Sequence, residues 1–440
     1  MMTGSPSDSI LDQFQDSLQS SLRIMIVAGE ASGDRHGASL ARALARLSPG
    51  VDLDLFGSGG EEMRAAGVET LVDARDVAII GIPEILRALG TLYRAYRKLL
   101  DAARTRRPNV VVLIDWPDFN IRLARKLHGE GFKIVYYISP QVWAWRGYRV
   151  RALRRCVDKM LVILPFEEEF YKNSGVDVEY VGHPLAEVVS ANASREAFTR
   201  KIGLDPGRPL IALLPGSRHK EVQYHLPAML DAAERLQTLR FRIADCGLPI
   251  EDSPLQSAIR NPQFVVPVAS TIYREQVDAI VRKATRRGTP DLAIIEGDAH
   301  DALSHSRIAV VASGTATVEA ALLGTPMVIV YRGSELNWRL IRPLIKLDTF
   351  GMVNLIAGRR VVPELMQHDV TGERIAREVA QILSDPRRLA QIKADLAIVR
   401  ERLASSREPA SERAARAVLL AAVQTGPGDP GREIPARMFD

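Results

Sequence analysis

Residues 308–331, IAVVASGTATVEAALLGTPMVIVY, admit few folds. Two short Val-rich runs, Ile308 to Ala312 and Met327 to Tyr331, are too short for helices and have the composition of strands buried on both faces. Between them lie a turn of small residues, Ser313, Gly314 and Thr315, then helix formers from Ala316 to Leu323. Gly324 stops that helix and Pro326 prevents its continuation. Strand, helix, strand in this space is a βαβ unit, which commits the chain to a parallel sheet. A Ser-Gly-Thr turn at a helix N-terminus offers unpaired backbone N–H groups and the positive end of the helix dipole, which together suit a diphosphate. Glu319, one turn into the helix, would be repelled by that diphosphate. It either accepts hydrogen bonds from a ribose or merely complements the dipole, and this stretch leaves both readings open.

The same layout recurs along the chain. Arg23 to Ala28 reads as a strand running into Gly29, Glu30, Ala31, Ser32, Gly33 and Asp34, then a helix from about Arg35 to Leu47. Leu53 to Phe56 is a second strand. Val110 to Ile114 is the clearest strand of the first half, and Asp115 stands at its C-terminal end, where open α/β sheets bind ligands. Pro117 suits a first helical position and Asp118 complements the dipole, whereas Asp115 has no such structural explanation. Lys133 to Ile138, Met160 to Leu164 and Val178 to Val181 complete a first set, with His183 just beyond. A second set opens at Pro209 to Leu214, followed by Pro215, Gly216, Ser217 and Arg218, a bidentate partner for a diphosphate. Val265 to Ala269 and Ala293 to Glu296 are further strands, residues 241–262 an irregular insertion, and Thr371 to Leu383, Pro386 to Leu403 and Ala410 to Val423 helices.

Two sets of strands agree with a length of 440 residues, more than one core normally holds. No apolar run is long enough for a membrane span, and the N-terminus lacks the pattern of a signal peptide, so a cytoplasmic protein is expected. Cys156 and Cys246 are far apart in sequence and point to neither a disulfide framework nor a zinc site. The net charge of +5 is modest but clustered. Val77 to Leu100, which includes Ile82 and Leu86, interleaves apolar residues with Arg and Lys; so does the stretch holding Trp338, Arg339 and Arg342. Each is either a packed helix with a solvated basic face or a surface for lipid. Trp143 and Trp145 beside Arg146, Arg149 and Arg151 suit a phosphorylated ligand or an anionic surface, with single-stranded nucleic acid as an alternative.

In order and over the span from about Arg23 to Leu420, the motifs resemble those of the lipid-A-disaccharide synthase family of bacterial glycosyltransferases. They are VAGEASGDRHGA at Val27, IDWPDFN at Ile114, YYISPQVWAWR at Tyr136, LPFEEEFY at Leu164, VGHPLAE at Val181, LLPGSR at Leu213, ASGTATVEAALLGTPM at Ala312 and NLIAGRRVVPEL at Asn354. The resemblance implies an α/β protein of GT-B architecture, two Rossmann-like domains facing a central cleft. It implies tails at 1–20 and 425–440, an N-terminal acceptor-binding domain at 21–184, a C-terminal UDP-sugar-binding domain at 185–374 and C-terminal helices at 375–424. Those helices are left to return to the first domain or to exchange between subunits.

The reaction implied moves 2,3-diacylglucosamine from UDP to the 6-hydroxyl of 2,3-diacylglucosamine 1-phosphate, with inversion, giving the β-1,6 disaccharide 1-phosphate and UDP. No metal or cofactor is implied, the UDP-sugar being a substrate; nor is nucleic acid. The expected setting is peripheral, on the cytoplasmic face of the inner membrane, with a homodimer left open. Asp115 is the expected base. Arg218, Ser217, Ser313, Gly314 and Thr315 would hold the diphosphate and Glu319 the ribose; Glu30, Ser32, Gly33, Asp34, His36, Asn120, His183 and Asn354 would line the acceptor side or cleft. Ile82, Leu86, Arg146, Trp338, Arg339 and Arg342 would meet lipid. Departures from the family pattern at Gly60 to Met63, Gly351 to Asn354 and Arg240 to Asn261 bear on acyl-chain or acceptor preference. A UDP-N-acetylglucosamine 2-epimerase would share the fold and nucleotide turn, and a non-catalytic nucleotide-regulated membrane-binding module is the reading outside enzymes.

Overall fold

The computed structural model describes residues 21–77, 82–145, 147–238, 261–284, 290–335, 338, 349–404 and 408–423, and the side chains of 77, 82–89, 144, 145 and 238 lie outside that description. The expected tails, most of the 241–262 insertion, Arg146, Arg339 and Arg342 fall outside it, as do the side chains of Ile82 and Leu86. The chain divides into two compact units, residues 1–184 with 405–440, and residues 185–404.

In the first unit β1 (Ser21–Val27), β2 (Asp52–Gly59), β3 (Glu69–Asp73), β4 (Val110–Ile114), β5 (Ile134–Tyr137), β6 (Lys159–Val162) and β7 (Val178–Tyr180) form one sheet in the order β3-β2-β1-β4-β5-β6-β7. Every pairing is parallel. The alternation of the strands feeds two cores. Ile24, Ile26, Val110, Val112 and Ile114 face one side, and Met25, Val27, Val111 and Leu113 the other. The helices that concern the site are α1 (Ala31–Leu47), α2 (Glu61–Ala65), α3 (Ile82–Arg106), α4 (Pro117–Gly129) and α5 (Pro165–Asn173). The stretch expected from Val77 to Leu100 is therefore α3, shifted toward its C-terminal side. Ala95, Leu99, Leu100 and Ala103 of α3 are buried in the second core and Tyr93 is exposed, so the described part is a packed helix with a solvated face.

The second unit repeats the plan with β8 (Leu210–Leu214), β9 (Gln263–Val268), β10 (Leu292–Glu296), β11 (Ile308–Ala312), β12 (Met327–Tyr331) and β13 (Glu364–Met366), ordered β10-β9-β8-β11-β12-β13 and all parallel. Its helices include α6 (His219–Thr238), α7 (Ala299–Ser304), α8 (Thr315–Leu322), α9 (Gly372–Ser384) and α10 (Pro386–Ala404). In each sheet the strand order reverses direction beside the unit's first strand, between β1 and β4 and between β8 and β11. Loops diverge at such a point and leave a crevice over the carboxyl ends of the strands.

The last helix, α11 (Ala410–Val423), belongs to the first unit. Ala414, Ala415, Ala417, Val418, Ala421 and Ala422 bury themselves with Ala38, Leu40, Ala41 and Leu44 of α1 over one face of the first sheet. The small side chains let the two helices approach closely, and Arg413 donates to the Tyr180 carbonyl at 2.5 Å. Val418→Asp would place a charge where the side chain is fully buried, at a cost above about 3 kcal/mol. Three of the four tryptophans lie in the first unit, so its urea unfolding is readable by fluorescence. The midpoint should fall sharply; an unchanged midpoint would mean that α11 contributes no core.

Candidate active site

Asp115 follows β4 at the switch point of the first sheet. It and Trp116 both occupy the left-handed region, with φ of 46° and 48°. Pro117 opens α4 and disfavours the right-handed helical region for Trp116, and the strand-to-helix turn is made through a conformation that bulky residues rarely adopt. Two such residues cost about 1–3 kcal/mol each, and neighbours must hold them. Asn120 Nδ2 donates to the Ile114 carbonyl at 3.2 Å and to the Asp115 carbonyl at 2.8 Å, and Tyr136 donates its hydroxyl to the same Asp115 carbonyl at 2.6 Å. Asn120 and Tyr136 are both fully buried. Trp116 stacks on Phe119 at 3.9 Å, and its ring lies where a Cβ on residue 29 would stand, 2.1 Å from Cδ2, so Gly29 has to be glycine.

Burial, and secondarily the Glu30 carboxylate, push the Asp115 carboxyl up to about 6. A carboxyl poised there is ionised at neutral pH yet a better proton acceptor than an ordinary one.

The Gly29 to Asp34 segment differs from the expected loop. Glu30 is the N-cap and α1 begins at Ala31, so Ser32, Gly33, Asp34 and His36 lie in its first two turns. Asp34 is buried and turned toward the start of α2. Its Oδ1 accepts from Gly60 N–H at 2.6 Å and Met63 N–H at 3.1 Å, and Oδ2 accepts from Glu62 N–H at 3.1 Å. The carboxylate satisfies the first N–H groups of α2, a structural task. Gly33 packs its backbone against Ala28. Burial lowers the His36 imidazole to about 4, helped by Arg35, and lowers the buried His183 to about 3, helped by His36. Both rings are neutral at pH 7, and the effect of His36 on His183 marks them as neighbours.

A buried carboxylic acid missing from the expected set is Glu167 in α5. Its Oε1 accepts from Ser139 Oγ at 2.7 Å and Trp143 Nε1 at 3.0 Å, and Oε2 accepts from Leu164 N–H at 3.2 Å. Burial raises it to about 7 against those hydrogen bonds. It joins the SPQVWAW and LPFEEEF motifs, and nothing in a run of three glutamates marks the middle of the fold as the place for the first.

In the second unit the turns after β8 and β11 lie at the switch point. Thr315 starts α8, and among the described residues the N–H groups of Gly314, Thr315 and Ala316 have no acceptor. Ser313 departs from expectation: its N–H donates to the Val330 carbonyl at 2.9 Å, because the ladder between β11 and β12 runs one residue past the strand. Glu319 is half-buried and faces His300 of α7, Nε2 to Oε2 3.6 Å, and the carboxylate raises the imidazole above its usual pKa.

After β8, Glu221 takes the backbone donors that a phosphate would want. Its Oε2 accepts from Ser217 N–H at 3.1 Å and Arg218 N–H at 3.3 Å, while Oε1 pairs with Arg218 Nη1 at 3.1 Å. The Arg218 side chain is 83% exposed, and Ser217 beside it is exposed as well, so both side chains stand open to solvent. Sequence reasoning missed His225, which is buried in α6. Its Nδ1 meets the Pro215 carbonyl and its Nε2 accepts the Arg332 N–H, both at 2.8 Å, which requires the neutral ring protonated on Nδ1. Burial lowers its pKa and keeps it so. This one ring ties the loop before Arg218 to the exit of β12.

Asn354 is 1% exposed and its polar atoms are used: Nδ2 donates to Val362 O and Glu364 Oε1, and Oδ1 accepts from Val361 and Val362 N–H. It braces the connection into β13. Trp338 is partly exposed, near Tyr331 and Phe350. Among the described residues no group of three potential metal ligands comes together, and no helix is long and apolar enough to cross a membrane.

The family model described as Lipid-A-disaccharide synthetase matches residues 24–244 and 250–420. A lipid-A-disaccharide synthase of Koribacter versatilis is 46% identical over 91% of this chain and 99% of its own length. One of Solibacter usitatus is 43% identical over 90% and 96%. Among solved structures, the glycotransferase of kitacinnamycin (TM-score 0.57, 14% identity, covering 91% of this chain and 98% of its own) and the calicheamicin glycosyltransferase CalG4 (0.55, 15%, 92% and 98%) share the fold. A putative UDP-N-acetylglucosamine 2-epimerase of Listeria monocytogenes shares it equally (0.55, 13%, 92% and 96%). The architecture is GT-B, with two Rossmann-like domains. By the extent of these matches, the chain belongs to the lipid-A-disaccharide synthase family.

Proposed function

We propose that the protein transfers 2,3-diacylglucosamine from its UDP carrier to the 6-hydroxyl of 2,3-diacylglucosamine 1-phosphate, with Asp115 as the base. The observation that carries this reading is a carboxyl raised to about 6 at the switch point of the first sheet, inside the IDWPDFN motif of a family member. Inversion requires the acceptor oxygen to attack the anomeric carbon as the bond to UDP breaks. The hydroxyl proton passes to the Asp115 carboxylate, and the electron pair of the broken bond leaves on the diphosphate. In this reading the N–H groups of Gly314, Thr315 and Ala316, with Arg218, stabilise that charge, and Glu319 accepts from the ribose hydroxyls while His300 orients it. The first unit then takes the acceptor and the second the UDP-sugar. The acyl chains of both substrates call for peripheral contact with a membrane, with α3 and the segment around Trp338 as the surfaces.

The epimerase fold likeness carries no reaction, and an isomerase of a soluble UDP-sugar has no use for the family's lipid substrates. Incubation of the protein with the two diacylglucosamine substrates, without added metal, should give disaccharide 1-phosphate and UDP by mass spectrometry. Epimerised UDP-N-acetylglucosamine with no disaccharide would overturn the assignment.

Asp115→Asn should lower turnover by about 10²- to 10⁴-fold with little change in UDP affinity. The base is the carboxylate, so activity should fall as pH drops through about 6. The raised folded-state pKa also means that folding favours the protonated form and is weakened as pH rises through that value. At pH 7 the neutral Asn should therefore be more stable than wild type, by about 1–3 kcal/mol in urea unfolding. Loss of both activity and stability would instead mark Asp115 as a structural residue. Arg218→Ala should weaken UDP binding by about 1.5–3 kcal/mol in calorimetry; unchanged binding would remove Arg218 from the nucleotide site.

A further inference from the structure

We infer that Tyr136 and Asn120 are positioning residues for the reaction: by donating together to the main-chain carbonyl of Asp115, they hold the left-handed Asp115–Trp116 pair and so aim the Asp115 carboxyl. This rests on the reading of Asp115 as the base. The geometry is over-determined in a way that folding alone does not need. A strand-to-helix turn can be made with glycine, at no steric cost, whereas here two non-glycine residues of positive φ follow one another.

The Asp115 carbonyl accepts from two fully buried side chains reaching it from different elements, Asn120 in α4 and Tyr136 in β5. Asn120 also binds the Ile114 carbonyl, so its amide spans the last strand residue and the turn. Two carbonyls near one amide group require its nitrogen there, which fixes the orientation of the side chain. Among the described residues nothing donates to its Oδ1, so the contact with the two carbonyls is the sole hydrogen-bonding use of the group. The Asp115 N–H donates to the Tyr137 carbonyl at 3.2 Å, and the Trp116 ring is caught between Phe119 and the bare face of Gly29. The residue is thus fixed through its own main chain on both sides, while its carboxyl takes a hydrogen bond from the Trp116 main chain alone among the described residues. Besides burial, the Glu30 carboxylate from the turn after β1 raises that carboxyl, and the hydrogen bond from the Trp116 main chain lowers it; Tyr136 from β5 is itself raised by burial and by Asp115, and faces Tyr171, Cys156 and Arg149.

Tyr136→Phe removes one donor and keeps the ring; Asn120→Leu removes the other at similar volume and serves if the first variant is unstable. Each should lower kcat by about ten- to a hundredfold, the size expected for misplacement of a reacting group, with KM for the UDP-sugar within about twofold of wild type. A carboxyl released from its dry position also regains solvent. The acid limb of the pH–rate profile should move below 6, and the Asp115 carboxyl, followed by carbon-13 NMR with aspartate labelling and assigned through Asp115→Asn, should titrate lower by the same amount.

Tyr136→Phe and Asn120→Leu with wild-type kcat and an unmoved Asp115 titration would overturn the inference. So would a loss of kcat with both titration and acid limb unmoved, which is a general loss of fold. If Asp115→Asn keeps wild-type turnover, the reading of Asp115 as the base fails and the role in catalysis fails with it; a lowered titration in Tyr136→Phe would then show a clamp that serves the turn alone.

Discussion

The constraint on which the rest depends is that both sheets are wholly parallel and covered on both faces. A parallel strand buried on two sides has no room for a polar side chain along its length, so β4, β8 and β11 are apolar from end to end. Chemistry is forced out to the first residues past each strand. It concentrates where strand order reverses, because only there do neighbouring loops part. Asp115, Arg218 and the Gly314–Thr315 turn are all residues of such positions, and each follows a strand that carries no functional side chain itself.

This explains why candidates for the site were legible. A buried run that ends abruptly in Asp, in Pro-Gly-Ser-Arg or in Ser-Gly-Thr announces a sheet edge, and the βαβ unit from Ile308 to Tyr331 has the strands read from its composition. Other elements were hidden. β3 and β13 are short edge strands whose ETLVD and ELM segments have too little apolar character to stand out. α1 starts at Ala31 rather than near Arg35 because a Glu N-cap and a Gly in the first turn look like a loop in sequence, and only the packing of Gly33 on Ala28 makes them helix.

What sequence could not show is how polar residues are divided between ligand and backbone. Asp34 and Asn354 lie in motifs that carry the family resemblance and Glu221 just beyond one, and each accepts hydrogen bonds from main-chain N–H groups. An unmet N–H costs as much whether it belongs to a helix start or to a loop, so a motif keeps such residues for the shape of the turn as firmly as for contact with substrate. Glu167 and His225 are the converse. Neither stands out by spacing, yet each joins two loops through hydrogen bonds that appear only once the chain is folded.

The two tasks of the proposed reaction demand opposite surroundings. A base needs to be dry and near negative charge, so that it holds a proton more readily; Asp115 has burial and Glu30 for this and, among the described residues, no paired cation. A departing diphosphate needs free donors and positive charge, and the start of α8 with Arg218 supplies them. Put together on one sheet, those donors would pull the carboxyl of the base down and the base would repel the leaving group. Building the two environments on separate sheets of the same plan lets each be tuned without spoiling the other, which is a physical reason for a duplicated Rossmann-like fold to suit glycosyl transfer.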